Sequence, residues 1–120
     1  MFDDSKPIFQ QIADTIANDI VRGTYNEEDH LPSTNELAVF YRINPATAAK
    51  GLNLLVDQGI AYKKRGIGMF VAPGARRVLH DRKKNELIAT NVQQLVHDAH
   101  ALGIDLEALI TLITQEYPHD

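Results

Sequence analysis

Leu31-Pro32-Ser33-Thr34-Asn35-Glu36-Leu37-Ala38, followed a few residues later by Asn44-Pro45-Ala46-Thr47, is the stretch on which the fold turns. Each half is a helix start. Ser33 and Glu36 have the spacing of a capping box: the Ser33 hydroxyl accepts from the Glu36 N–H, and the Glu36 carboxylate reaches back to Ser33. This first helix ends near Tyr41, with Leu37, Ala38 and Phe40 expected to face inward. Asn44 is then an N-cap, and Pro45 occupies the first turn, where a missing N–H costs little. The second helix continues through Ala48, Leu52, Leu55 and Val56 to a stop at Gly59. Two helices joined by so short a turn form a helix-turn-helix when an earlier helix packs on them.

That earlier helix is predicted from about Pro7 to Arg22. Ser5 is placed to cap it, and Ile8, Ile12, Ile16 and Ile20 recur every four residues beside Phe9 and Ala13. Gly23 supplies a left-handed stop, and Thr24–Pro32 is polar and reads as a loop. Downstream, Ile60-Ala61-Tyr62-Lys63 is a strand candidate, Lys64-Arg65-Gly66-Ile67-Gly68 a basic turn, and Met69-Phe70-Val71 the returning strand. A two-strand hairpin is marginal alone and must lean on the helices. The expected fold class is therefore mainly α with a small β-hairpin. Residues 1–74 make a winged helix-turn-helix DNA-binding domain, and residues 75–120 a two-helix C-terminal dimerisation tail.

In the tail, a long helix is predicted from about Arg76 to Leu102, since neither proline nor glycine interrupts it. Ile88, Val92, Leu95, Ala99 and Leu102 follow a 4-3-4-3 spacing, the seam of helices packed side by side. Gly103 ends it. Asp105 then caps a last helix carrying Leu106, Leu109, Ile110 and Ile113. Two such helices cannot bury their apolar faces alone. Pairing with a second chain's helices makes a small bundle; folding back on the chain's own winged domain is the alternative.

Charge is unevenly placed. The net charge of −4 speaks against a nucleic-acid partner, yet position matters more than the sum. Residues 61–84 hold Lys63, Lys64, Arg65, Arg76, Arg77, Arg82, Lys83 and Lys84 against Asp81 alone, whereas residues 85–120 hold six acids and no Lys or Arg. A local cationic patch can bind phosphate because more distant charges are screened over a Debye length of roughly 8 Å.

Other classes find little support. There is no cysteine, so no disulfide, thiolate metal site or cysteine nucleophile is available. The N-terminus lacks the apolar core of a signal peptide, and no apolar run is long enough to span a bilayer. A cytoplasmic protein with no membrane partner is expected. His97 and His100 lie one helical turn apart, but no third ligand follows at helical spacing, so no metal is assigned. No nucleophile–base pair, phosphate loop or dinucleotide fingerprint occurs; no catalytic residue and no cofactor are expected.

The spaced motifs Pro7-Ile8-Phe9-x-Gln11-Ile12, Gly23, Leu31-Pro32-Ser33-x-x-Glu36-Leu37-Ala38, Asn44-Pro45-Ala46-Thr47, Leu55-x-x-x-Gly59 and Gly66-x-Gly68-x-Phe70-Val71 resemble the N-terminal domain of GntR-family bacterial regulators. The resemblance covers about residues 7–72. The Asn44-Pro45 opening and the short tail are similar to the YtrA-like subfamily in particular. Many members carry arginine where this chain has Asn35 and Pro45, and glycine where it has Glu28. The resemblance implies a transcription regulator, and the short tail favours a repressor over an activator. It would act as a homodimer on a palindromic double-stranded operator, with room for only a small effector of unknown identity.

Groove chemistry distributes the roles. The N-terminal end of a recognition helix meets base edges in the major groove. Here that end comprises Asn44, Ala46, Thr47 and, one turn on, Lys50. Thr47 suits a thymine methyl or a phosphate, and Lys50 a guanine edge or a phosphate. Ser33, Thr34 and Asn35 open the preceding helix, whose N-terminal N–H groups favour phosphate. Lys63, Lys64, Arg65 and Gly66 would lie along the adjacent groove or backbone.

Overall fold

The computed structural model describes residues 2–119. They form two compact units, the first ending at Asp81 and the second beginning at Arg82. Helix α1 (Ile8–Arg22) buries Ile12, Ala13, Ile16 and Ile20, the expected stripe, while Ile8 at its start remains exposed. Its N-cap is Pro7, with no side-chain cap; Ser5, expected there, instead donates its hydroxyl and its N–H to the Asp3 carboxylate. Gly23 ends the helix in the left-handed region at φ 86°.

Helices α2 (Thr34–Tyr41) and α3 (Pro45–Asp57) begin at Ser33 and Asn44 as the sequence predicts. Leu37 and Ala38 of α2 are buried, but Phe40 is 71% exposed. It lies two residues past Ala38, about 200° around the helix and so on the other side from it. Tyr41 turns partly inward instead, with ring contacts to Phe2 and Phe40. Helix α3 buries Ala48, Leu52 and Leu55, and also Gly51, whose missing side chain lets α1 approach. A Cβ at Gly51 would lie 2.9 Å from the Phe9 carbonyl oxygen and 3.2 Å from Ile12 Cγ2. Each fully buried Ile or Leu contributes about 2 kcal/mol from removal of apolar surface from water.

Strands β1 (Ala61–Lys64) and β2 (Gly68–Val71) pair antiparallel, with Ala61 opposite Val71 and Lys64 opposite Gly68. Lys64 thus ends the first strand rather than opening the turn, and its carbonyl accepts from the Ile67 N–H at 2.9 Å. The preceding polar stretch is more ordered than a loop. Glu28 N–H donates to Val71 O, Val71 N–H to Asp29 O and Leu31 N–H to Met69 O, at 2.8–3.0 Å. This added backbone run supports a hairpin that would be weak by itself. Leu31, Ile60 and Val71 seal it onto the helical core.

Helix α4 (Ala75–Glu86) begins inside the first unit, where Ala75 and Leu79 join the core. The sequence division at residue 74 therefore falls just before the last two buried anchors of that core. The single long helix expected from Arg76 to Leu102 is not uniform. A π-helical segment, Leu87–Val92, separates α4 from α5 (Gln93–Ala101). Ile88, Thr90 and Val92 are β-branched and Asn91 competes for backbone hydrogen bonds, so this stretch is a weak α-former. Its i→i+5 turns hold more residues than α-turns and take Ile88 off the line of Leu95 and Ala99. Helix α6 (Leu106–Glu116) follows the Gly103 stop and is capped by Asp105, whose Oδ1 accepts from Ala108 N–H at 2.9 Å.

Candidate nucleic-acid interface

The capping box at the start of α2 is closed in both directions at 3.0 Å. Two hydrogen bonds to Ser33 hold the Glu36 carboxyl below its ordinary value of 4.5. Ser33 is thereby committed to the cap through its side chain, and Asn44 likewise: its Oδ1 accepts from Ala46 N–H at 2.8 Å. Among the first-turn residues, Asn35 and Ala46 are exposed, and Thr34 and Thr47 half-buried. The helix starts themselves are thus exposed, each with a pre-positioned cap.

Lys50 lies one turn further along α3 and is exposed. Its Nζ stands 4.2 Å from the centroid of the Phe9 ring, so a residue from the first turn of α1 lies against the ammonium of α3. The sequence singled out both residues but not their contact, which depends on the α1–α3 crossing at Gly51.

The wing repeats the arrangement. Lys64 Nζ is 4.5 Å from the Phe70 ring and 5.9 Å from that of Tyr62. Tyr62 and Phe70 stack at 5.9 Å, and His30 meets the other edge of Phe70 at 4.7 Å. The Tyr62 hydroxyl donates to Glu28, a bond that raises the phenol's pKa. Lys63 and Arg65 are exposed beside this row, and Gly66 takes φ 77° at the tip. Gly68 passes so close to His30 that a Cβ there would lie 2.6 Å from Nε2. The role of His30 in seating the wing left no signal in the sequence.

Not all of the basic run belongs to this surface. Arg76 donates to Val21 O at 3.1 Å, satisfying a carbonyl at the end of α1. Arg42 and Glu28 adopt left-handed backbone at φ 56° and 72°. Glycine would reach the φ of Glu28 without steric cost.

In the second unit, Ala99 and Leu109 are buried, whereas Ile88, Val92, Leu95, Leu102, Leu106, Ile110 and Ile113 are exposed, Leu102 to 78%. Several line an open apolar groove of about 590 Å³ that runs from Leu95 to Tyr117. Leu112 and Tyr117 also line it and were not singled out from the sequence. His97 and His100 are exposed, and no metal-holding group of His, Cys, Asp or Glu occurs among the described residues. No helix among those residues is long and apolar enough to cross a membrane.

A capped helix pair on a third helix, with a supported basic hairpin after it, defines the winged helix-turn-helix class of DNA-binding regulators. Residues 8–71 match the bacterial regulatory proteins of the gntR family, more than half of the chain, and the chain belongs to that family of transcription regulators. It is 34% identical over 105 residues to the HTH-type transcriptional repressor YtrA of Bacillus subtilis, covering 88% of this chain and 80% of that one. A GntR-family transcriptional regulator from Bacteroides thetaiotaomicron superimposes with TM-score 0.75 at 35% identity, covering 90% and 94% of the two chains. A transcriptional regulator from Oenococcus oeni reaches TM-score 0.83 at 25% identity, covering 96% and 94%. Fold and relatives alike are those of DNA-binding regulators rather than enzymes.

Proposed function

We propose that the chain is a cytoplasmic repressor that binds a palindromic operator as a homodimer. The observation that carries the DNA surface is the exposed start of α3, with Asn44, Ala46 and a ring-held Lys50 away from its buried Ala48, Leu52 and Leu55, and Thr47 half-buried at their border. In this reading α3 enters the major groove, Ser33, Thr34 and Asn35 at the start of α2 meet phosphate, and Lys63, Lys64, Arg65 and Gly66 follow the neighbouring groove. Repression is supported by relatives such as YtrA, which are named repressors.

The homodimer rests on the tail. Its exposed leucines and isoleucines gather on the two tail helices, and an apolar cluster of this kind marks an interaction surface. A second copy laid against Leu95, Leu102, Leu106, Ile110 and Ile113 would cover it. The twofold axis would set half-sites about 34–36 Å apart.

The test is a binding titration against the promoter region of the chain's own gene over a range of salt. Each phosphate contact contributes about 0.9 to the slope of log K against log salt, so Lys50→Ala with Arg65→Ala should flatten it by up to about 2. Unchanged affinity and slope in the double variant would remove the proposed surface. Leu102→Lys should yield a single-chain species in sedimentation; a variant that remains dimeric would displace the interface.

A further inference from the structure

We propose that a cavity beside α2, separate from the proposed DNA-contacting residues of the wing and α3, is a binding site for an organic cation with an aromatic or branched apolar body. The cavity is an open cleft of about 760 Å³ between α1, α2 and the loop carrying Tyr25. That is the size of a small-molecule site, for which about 300–1,000 Å³ is usual.

Its lining has one electrical sign. Asp19 and Glu36 supply carboxylates, Tyr25, Phe40 and Tyr41 supply rings, and no lysine, arginine or histidine is among the lining residues. Aromatic faces beside carboxylates favour a cation whose charge is diffuse enough to shed its water, as a quaternary ammonium is. Arg22 pairs with Asp19 Oδ1 at 2.5 Å from outside the lining and offsets part of that charge, although its own side chain is 70% exposed, so Glu36 supplies the larger share of the negative field. Glu36 is held by the Ser33 N–H, a neutral donor that leaves its charge in place.

Two further observations agree. Burial first, and the Asp19 charge second, raise the phenol pKa of both Tyr25 and Tyr41. Asp19 is therefore near enough to both hydroxyls to act on them. Phe40 and its neighbour Val39 are 71% and 79% exposed on this helix, an apolar expense that the core does not explain. A ligand that buries Phe40 accounts for it.

As an effector site the cavity would rest on the DNA-binding reading, since Asn35 and Glu36 belong to the first turn of α2; occupancy itself does not. The experiment is therefore run without DNA, on the full chain, with benzyltrimethylammonium as probe and its uncharged carbon isostere neopentylbenzene as control. Saturable binding is followed by calorimetry and by the ring resonances of Tyr25 and Tyr41. Glu36→Gln retains a capping-box partner, so Asp19→Asn with Glu36→Gln removes charge with little change in shape. That pair should weaken the probe about tenfold, and Phe40→Ala, at an exposed ring, several-fold.

The proposal is overturned by no saturable binding, by equal binding of the uncharged isostere, or by affinity indifferent to both sets of variants. Concentration-dependent shifts of Val39 and Phe40 in the absence of probe would overturn it too. They would assign the face to a second copy of the chain.

Discussion

Gly51→Ala isolates the contact that sets the recognition helix against α1. Elsewhere in a helix the change favours folding, because alanine exceeds glycine by about 0.8–1.0 kcal/mol in helix propensity. Here the new Cβ would lie 2.9 Å from the Phe9 carbonyl oxygen and within 3.3 Å of Ile12. The first of these is backbone and cannot rotate away, so the helices must separate. Overpacking of this kind costs about 1–3 kcal/mol. Subtraction leaves a net loss of about 1 kcal/mol, or about 4–8 °C in Tm for a domain of 60–100 residues. Thermal and denaturant unfolding followed by circular dichroism provide the assay. Gly59→Ala is the comparison: nothing lies within 4 Å of its added Cβ, and its cost arises from φ 76° alone. Asparagine tolerates left-handed backbone, so Gly59→Asn should recover stability where Gly51→Asn should lose more. A Gly51→Ala protein as stable as the parent, or more so, would refute the close crossing.

The capping box gives a second prediction, with a pH signature. Ser33→Ala should cost about 1 kcal/mol. Because the folded Glu36 carboxyl titrates below its ordinary 4.5, its contribution is complete above that value and is lost as pH falls through the folded pKa. Glu36→Gln should therefore flatten the acid limb of the stability profile by lowering neutral stability toward the parent's acid value; an acid limb identical to the parent's would count against the reciprocal cap. The third prediction concerns Phe9. Phe9→Leu keeps an apolar side chain at the helix contact but releases Lys50, and ordering one long side chain anew costs about 0.5–1.5 kcal/mol. Operator affinity should fall about two- to tenfold by that cost, whereas Phe9→Leu should cost nothing further in a Lys50→Ala background. Full additivity of the two changes would mean that the ring does not act through the lysine.

What the sequence made legible was local. Ser33–Glu36, Asn44–Pro45, Gly23 and Asp105–Ala108 are contacts between near neighbours, and the structure contains each of them. Periodicity likewise located Ile12, Ile16, Ile20, Leu52 and Leu55 in the core. The misses were of a different physical kind. The extra backbone run at Glu28–Leu31 pairs with residues some forty positions away in sequence and carries no alternation of its own. Phe40 has an inward residue's chemistry, but helical geometry sets it about 200° around α2 from the buried Ala38. The π segment has no glycine or proline to announce it.

The rings over Lys50 and Lys64 bear on how an acidic chain can recognise a polyanion. With a net charge of −4, long-range attraction for DNA is weak, so the few cations proposed to meet it must act locally. A free lysine is a poor local contact, since its four-carbon stem loses about 2 kcal/mol of rotamer entropy when fixed. Phe9 and Phe70 have already confined two of these ammonium groups within 4.2 and 4.5 Å of their ring centroids. Part of the ordering cost is then borne on folding rather than on binding. A surface built this way gains in shape-matched contact more than in general attraction. The ratio of operator to non-specific affinity should accordingly exceed that of a Phe9→Leu, Phe70→Leu variant, in which the same charges are present but unconfined.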